Sequence, residues 1–146
     1  MKPFTGQESV TINRRVTDAM TVHFDELGPL HPVYSTYSMT KHFEEVGRMV
    51  LLPHLEPGEE GIGSAVEVEH LASALVGMNV TLRGTFERLE GRRVYCKMEA
   101  WNELGDLMGR GRTVQIVLPA SRIHDGFALL RERWEQSKNS QAPLVE

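Results

Sequence analysis

The chain has 146 residues, 40% of them hydrophobic, the usual length of a single domain and enough apolar material for one core. A net charge of −4 and a pI near 5.9 give no general attraction to nucleic acid or to an anionic membrane. The lone Cys96 cannot form an internal disulfide, no Cys/His spacing suits zinc, and neither an apolar leader region nor a window of about 18 apolar residues is present, so the expectation is a soluble protein of a reducing, cytoplasmic setting.

"SVTINRRV" alternates and reads as a first strand. "ELGPLHPVY", Glu26 to Tyr34, carries Gly and two Pro and reads as a loop. In "STYSMTKHFEEVGRMVLLPHL", Met39, Phe43, Val46 and Val50 recur at i, i+4, i+7 and i+11, one stripe of a helix that Pro53 closes. Gly47 inside that helix costs about 1 kcal/mol relative to Ala, which predicts a close backbone contact there. "EPGEEGIG" reads as a turn.

Four strand-like runs follow. "GSAVEVEHL" is the first. "MNVTLRGTFERLE" puts Val80, Leu82 and Phe86 on one face, and "RRVYCKMEAWN" does the same for Val94, Cys96, Met98 and Ala100. "RGRTVQIVLP" places Val114, Ile116 and Leu118 in register. "LEGRR" and "NELGD" supply hairpin turns. Ser121 can cap a final short helix with the stripe Ile123, Phe127, Leu130 and Trp134, the tryptophan packing it down. From Ser137 the tail "SKNSQAPLVE" reads as flexible, so a single domain is expected over 1–136.

The order strand, loop, helix, four antiparallel strands, short helix predicts an α+β architecture. In it a curved antiparallel sheet wraps one central helix, the hot-dog fold. Such a sheet leaves edges, which pairing across a homodimer would cover; two dimers can pack further into a tetramer. One residue breaks the pattern: Val66 and Val68 face the core, and the next position on that face is His70. A core histidine satisfied by a hydrogen bond and a functional base both fit that position.

"LPHLEPGEEGIGSAVEVEH", with "GMNVTLRGTFERLEGRRVY" downstream, resembles the fluoroacetyl-CoA thioesterase-like branch of the hot-dog thioesterases, from about Met20 to Leu118. The resemblance implies a homodimeric acyl-CoA hydrolase that needs no cofactor, coenzyme A entering as part of its substrate. It carries the family's catalytic Thr, Glu and His onto Thr36, Glu44 and His70. A glycine thought to approach the thioester falls on Gly63. Two phenylalanines that gate the pocket of the fluoroacetyl-specific enzyme align with Leu27 and Leu30, and an arginine late in the last strand with Gln115. Both departures speak against fluoroacetyl specificity and leave thioester hydrolysis standing.

A thioester carbonyl needs a nucleophile, a proton acceptor and donors for the developing oxyanion. His70 suits the base; Glu44 can orient its ring, attack, or activate water; Thr36, at or just before the helix start, can point its hydroxyl into a pocket. Without the resemblance, Thr36 is a helix cap and Glu44 a solvated carboxylate. Tyr34 and His31 flank Thr36 and are expected to line the pocket. Arg92, Arg93, Arg110 and Arg112 either meet the phosphates of CoA or are solvated. The leading expectation is hydrolysis of a small or short-chain acyl-CoA, with no metal, nucleic acid or membrane partner; the alternative is a non-catalytic acyl-CoA-binding or sensing protein.

Overall fold

In a computed structural model, which describes residues 1–140, the elements run in chain order as follows. Strand β1 is Ser9–Arg15, β2 is Thr21–Phe24 and β3 is Gly28–Tyr34. Helix α1 is Thr36–Leu51; strands β4 (Glu59–His70), β5 (Asn79–Glu90), β6 (Arg93–Trp101) and β7 (Leu107–Pro119) follow, and helix α2 is Ala120–Ser140. Five strands form one antiparallel sheet in the order β1-β5-β6-β7-β4. The sheet wraps α1, and the expected hot-dog architecture is what the molecule has.

The α1 stripe behaves as its period predicts: Met39, Phe43, Val46 and Val50 are all buried, against Val80, Leu82, Val94, Cys96, Met98 and Ala100 of the sheet. The helix sits close to the strands. A Cβ on Gly47 would stand 2.5 Å from Thr113 Oγ1, and one on Gly84 of β5 would stand 2.6 Å from Val46 Cγ1. These glycines let the helix backbone and the sheet approach, as the cost of Gly47 foretold. Cys96 is a core residue whose thiol is pushed up to about 12 by burial.

Several expectations change. Glu26 to Tyr34 is not a plain loop, because β2 and β3 pair there as a hairpin in a separate two-stranded sheet. Pro29 and Pro32 are tolerated since β3 has a ladder on one side only. The "EPGEEGIG" turn ends at Gly58, and β4 already begins at Glu59, paired with Pro119. On β7 the apolar Val114, Ile116 and Leu118 share a face, but the buried face is Thr113, Gln115 and Val117. The last helix is not short: it starts at Ala120 without a Ser121 cap and continues to Ser140, past the expected boundary at residue 136. Residues 141–146 of the expected tail lie outside the described residues. Trp134 does not pack α2 down; Phe127, Leu130 and Trp134 are exposed, and no residue of α2 is buried.

Candidate active site

The start of α1 is pinned by its neighbours. Tyr34 N–H donates to Ala74 O at 2.9 Å and Ser35 N–H to Met20 O at 2.8 Å. Ser35 is the N-cap, and its hydroxyl oxygen accepts from Ser38 N–H at 3.1 Å. Ser35 therefore takes the capping duty open to Thr36, which is the first helical residue with its hydroxyl free to leave the helix. That hydroxyl lies 2.9 Å from Nδ1 of His70, at the far end of β4. After His70 the chain turns off the sheet, with Leu71 N–H and Ala72 N–H both donating to Met108 O.

His70 is half-buried and shares the inward face with Val66 and Val68. Burial holds its pKa below the ordinary histidine value, the Ala72 backbone opposing the shift in part. Its Nε2 is buried and has no hydrogen-bond partner among the described residues. A neutral imidazole with Nδ1 facing a hydroxyl has the geometry of a base beside its nucleophile.

Glu44 is not brought to this pair within one chain. Eight residues of helix separate it from Thr36, about 12 Å of rise. It is exposed and lines a cleft with Arg48 of α1, Gly63 and Val66 of β4, and Thr113 and Gln115 of β7. Gly63 is thus beside Glu44 rather than beside Thr36. Arg48 is held by Gly61 O at 3.1 Å and Glu60 Oε1 at 2.7 Å.

The remaining candidates divide. Leu27 and Leu30, 69% and 47% exposed, lie on the β2–β3 hairpin, with Leu30 and His31 near Val76. Tyr34 does not face a surface cleft: it is fully buried, and its hydroxyl is 2.5 Å from Nδ1 of His42. Burial raises the Tyr34 pKa and, opposed by Glu45, lowers that of His42, so the phenol donates to a neutral imidazole. Arg110 and Arg112 are engaged by carboxylates, Arg110 by Glu69 and Arg112 by Glu67 and Glu87. Among the described residues no cluster of three metal-ligating side chains occurs, and no helix is long and apolar enough to cross a membrane. The sequence reading missed Ser35 as the cap, the Tyr34–His42 pair and the buried amide of Gln115. Only the last left a signal, a polar residue inside the run "TVQIVLP".

Comparison with known proteins identifies the family. A family model described as fluoroacetyl-CoA-specific thioesterase matches residues 16–121. The fluoroacetyl-CoA thioesterase of Streptantibioticus cattleyicolor is 30% identical over 99 residues, 68% of this chain and 70% of the relative. The crystal structure of a thioesterase superfamily member from Thermus thermophilus is 54% identical, with a TM-score of 0.92 over 93% of this chain and 99% of that one. A point mutant of the fluoroacetyl-CoA-specific thioesterase, solved with fluoroacetate and CoA, is 26% identical, with a TM-score of 0.74 over 82% of this chain and 99% of that one.

Proposed function

The chain belongs to the fluoroacetyl-CoA-specific thioesterase family, and from that premise we propose that it hydrolyses a small or short-chain acyl-CoA to the free acid and CoA, with Thr36 and His70 as the reacting pair. Membership makes it a thioester hydrolase acting on acyl-CoA. The observation that carries the finer reading is the 2.9 Å contact between Thr36 Oγ1 and His70 Nδ1.

In this reading neutral His70 accepts the Thr36 proton at Nδ1 as Oγ1 attacks the thioester carbonyl. Thr36 is the first residue of α1, so the oxyanion develops at the positive end of the helix dipole. The tetrahedral intermediate collapses, the C–S bond breaks, and the departing CoA sulfur takes the proton back from His70. Water, deprotonated by the same imidazole, then cleaves the acyl-Thr36 ester and restores the hydroxyl. Glu44 joins this site from a second copy of the chain. Strand β4 is a twelve-residue edge of the sheet, and such an edge calls for a partner strand. Antiparallel pairing of β4 with its copy carries the Gly63–Glu44 region of one protomer toward the His70 end of the other. There the carboxylate stabilises the imidazolium.

The solved relatives hold fluoroacetate with CoA in one case and acetyl-CoA in another, which supports a small acyl group here. The exposed Leu27 and Leu30 make a looser entrance than two phenylalanines, so acetyl-CoA and fluoroacetyl-CoA are expected to be hydrolysed at rates within a hundredfold, about 2.7 kcal/mol. The test is steady-state hydrolysis of acyl-CoA esters of increasing length, with mass spectrometry of acid-quenched protein. An acyl adduct on Thr36 and fastest turnover for short chains are expected. Absence of turnover on every ester, or a stable monomer in sedimentation at micromolar concentration, would overturn the proposal.

A further inference from the structure

Two groups of exposed apolar side chains lie at opposite ends of β4. The first is the stripe on α2. Phe127, Leu130 and Trp134 are each more than half exposed, and Ile123 continues the same face one turn earlier. A contiguous apolar face left open marks an interaction site. The second group is Phe24, Leu27 and Leu30 of the β2–β3 hairpin with Leu71, Leu75 and Val76 after β4, all exposed. A bridge from Leu75 to Val33 ties the two segments together.

Helix α2 leaves the sheet where β4 begins. Ala120 N–H donates to Gly58 O at 2.8 Å, and Pro119 pairs with Glu59. The neighbouring Glu60 carboxylate is held low in pKa first by Arg48 of α1, and His124 of α2 adds to the effect, so the first turn of α2 lies toward the α1 side of the sheet. The hairpin group adjoins the other end of β4, beside His70 and the start of α1, where the Tyr37 hydroxyl bonds Thr21 O and His23 O. Twelve residues of strand, about 40 Å, separate the two ends. Antiparallel pairing of β4 with its copy brings them together: the beginning of one β4 lies beside the end of the other. The twofold axis of that pairing stands normal to the sheet, which keeps both central helices on one side.

Charge favours the same match. Arg131 and Arg133 line the groove beside Phe127, Leu130 and Trp134. From Val16 to Thr40 the chain has the exposed carboxylates Asp18, Asp25 and Glu26 and no Lys or Arg. Packing α2 on α2 would instead set arginine against arginine.

We propose that α2 of one protomer docks on the hairpin of a second copy, its Phe127, Leu130 and Trp134 meeting Leu27, Leu30 and Leu71, with Arg131 and Arg133 toward Asp25 and Glu26. There it roofs the approach to that copy's Thr36–His70 pair, so that each active site is completed by a helix of the other chain. The inference rests on the β4-edge dimer of the reading above.

The test uses the full chain. Leu30→Cys and Leu130→Cys are made singly and together and treated with a short bis-maleimide; the buried Cys96 should leave wild type uncoupled. The double variant should give a covalent dimer, and neither single variant should. In parallel, Phe127→Ser with Trp134→Ser removes the apolar anchors from an exposed face. The β4 dimer should persist in sedimentation, while KM for acetyl-CoA rises about tenfold with kcat little changed. Arg131→Glu with Arg133→Glu should raise KM as well, and Asp25→Lys with Glu26→Lys in the same chain should restore it. A covalent dimer from Leu130→Cys alone would put α2 against α2 and overturn the proposal. So would a link within one chain, no link in a protein that sediments as a dimer, or an unchanged KM in the serine variant. Flotation of wild type but not of the serine variant with phosphatidylglycerol vesicles would give the stripe to lipid and overturn it too. A wild-type monomer fails the β4 dimer itself, whereas an uncoupled dimer sinks only the docking of α2.

Discussion

If Thr36 and His70 act as one unit, their removal should not add. A positioned general base contributes roughly 10²–10⁴-fold, so His70→Ala should lower kcat by that factor, and Thr36→Ala, which deletes the group the base serves, by a similar one. Independent contributions would multiply in the double variant to roughly 10⁴–10⁸-fold. A shared proton transfer through the 2.9 Å contact predicts a double-variant loss no larger than about tenfold beyond the worse single variant. The fold should tolerate the changes. Thr36 is exposed, and the cap is Ser35, so Thr36→Ala should shift stability by about 0.5 kcal/mol or less. The assay is release of free CoA thiol from acetyl-CoA under saturating substrate, with melting curves of all four proteins. Multiplicative losses would show that the two side chains act separately. Wild-type turnover in His70→Ala together with a collapsed melting temperature would make His70 a structural histidine and refute the pairing.

The pH profile follows from the neutral imidazole: kcat/KM should rise as pH increases through the lowered His70 pKa, with its inflection below the free value of about 6.5 and a plateau at neutral pH. Because His42 and His70 both resist protonation when folded, the unfolded chain binds more protons below about pH 6.5, and stability measured by urea titration should fall there. Gly47→Ala should lower the melting temperature, since a Cβ 2.5 Å from Thr113 Oγ1 costs about 1–3 kcal/mol of overpacking against about 1 kcal/mol of helix propensity gained; adding Thr113→Ala should return most of the loss. Tyr34→Phe strands Nδ1 of the buried His42 and should cost about 1–3 kcal/mol in a denaturant titration.

The central helix and strands β5 and β6 were legible because their apolar residues follow one period and meet one core, down to the contact that Gly47 implied. Strand β7 was harder. Its most apolar residues lie on the outer, half-buried face, while the helix-facing positions include Thr113 and Gln115, so alternation alone does not say which face turns inward. The β2–β3 hairpin hid behind Pro29 and Pro32, which an edge ladder accepts. Helix α2 carries a stripe that looks like a core stripe, yet nothing in the described chain covers it. At the site, Thr36 and His70 are 34 positions apart and no spacing rule links them; only the resemblance joined them, and the fold then placed them in contact. The resemblance also joined Glu44 to them, but the pitch of one straight helix forbids that meeting inside a single protomer.

The tight seating of α1 has a consequence for which thioesters can be processed. A Cβ at Gly47, Gly84 or Gly61 would crowd Thr113, Val46 or Leu51, so helix and sheet are closely seated at these three points, which argues against a fatty tail running between them. A long acyl chain would have to lie along the outside of the helix, where each methylene left in water forgoes about 0.8 kcal/mol of burial. Under the proposed function, the ruler for chain length would be the spacing between helix and sheet. That spacing is set by side chains packed against glycines at several points of the helix–sheet interface, so trimming one large side chain would leave a void under the helix and not a channel.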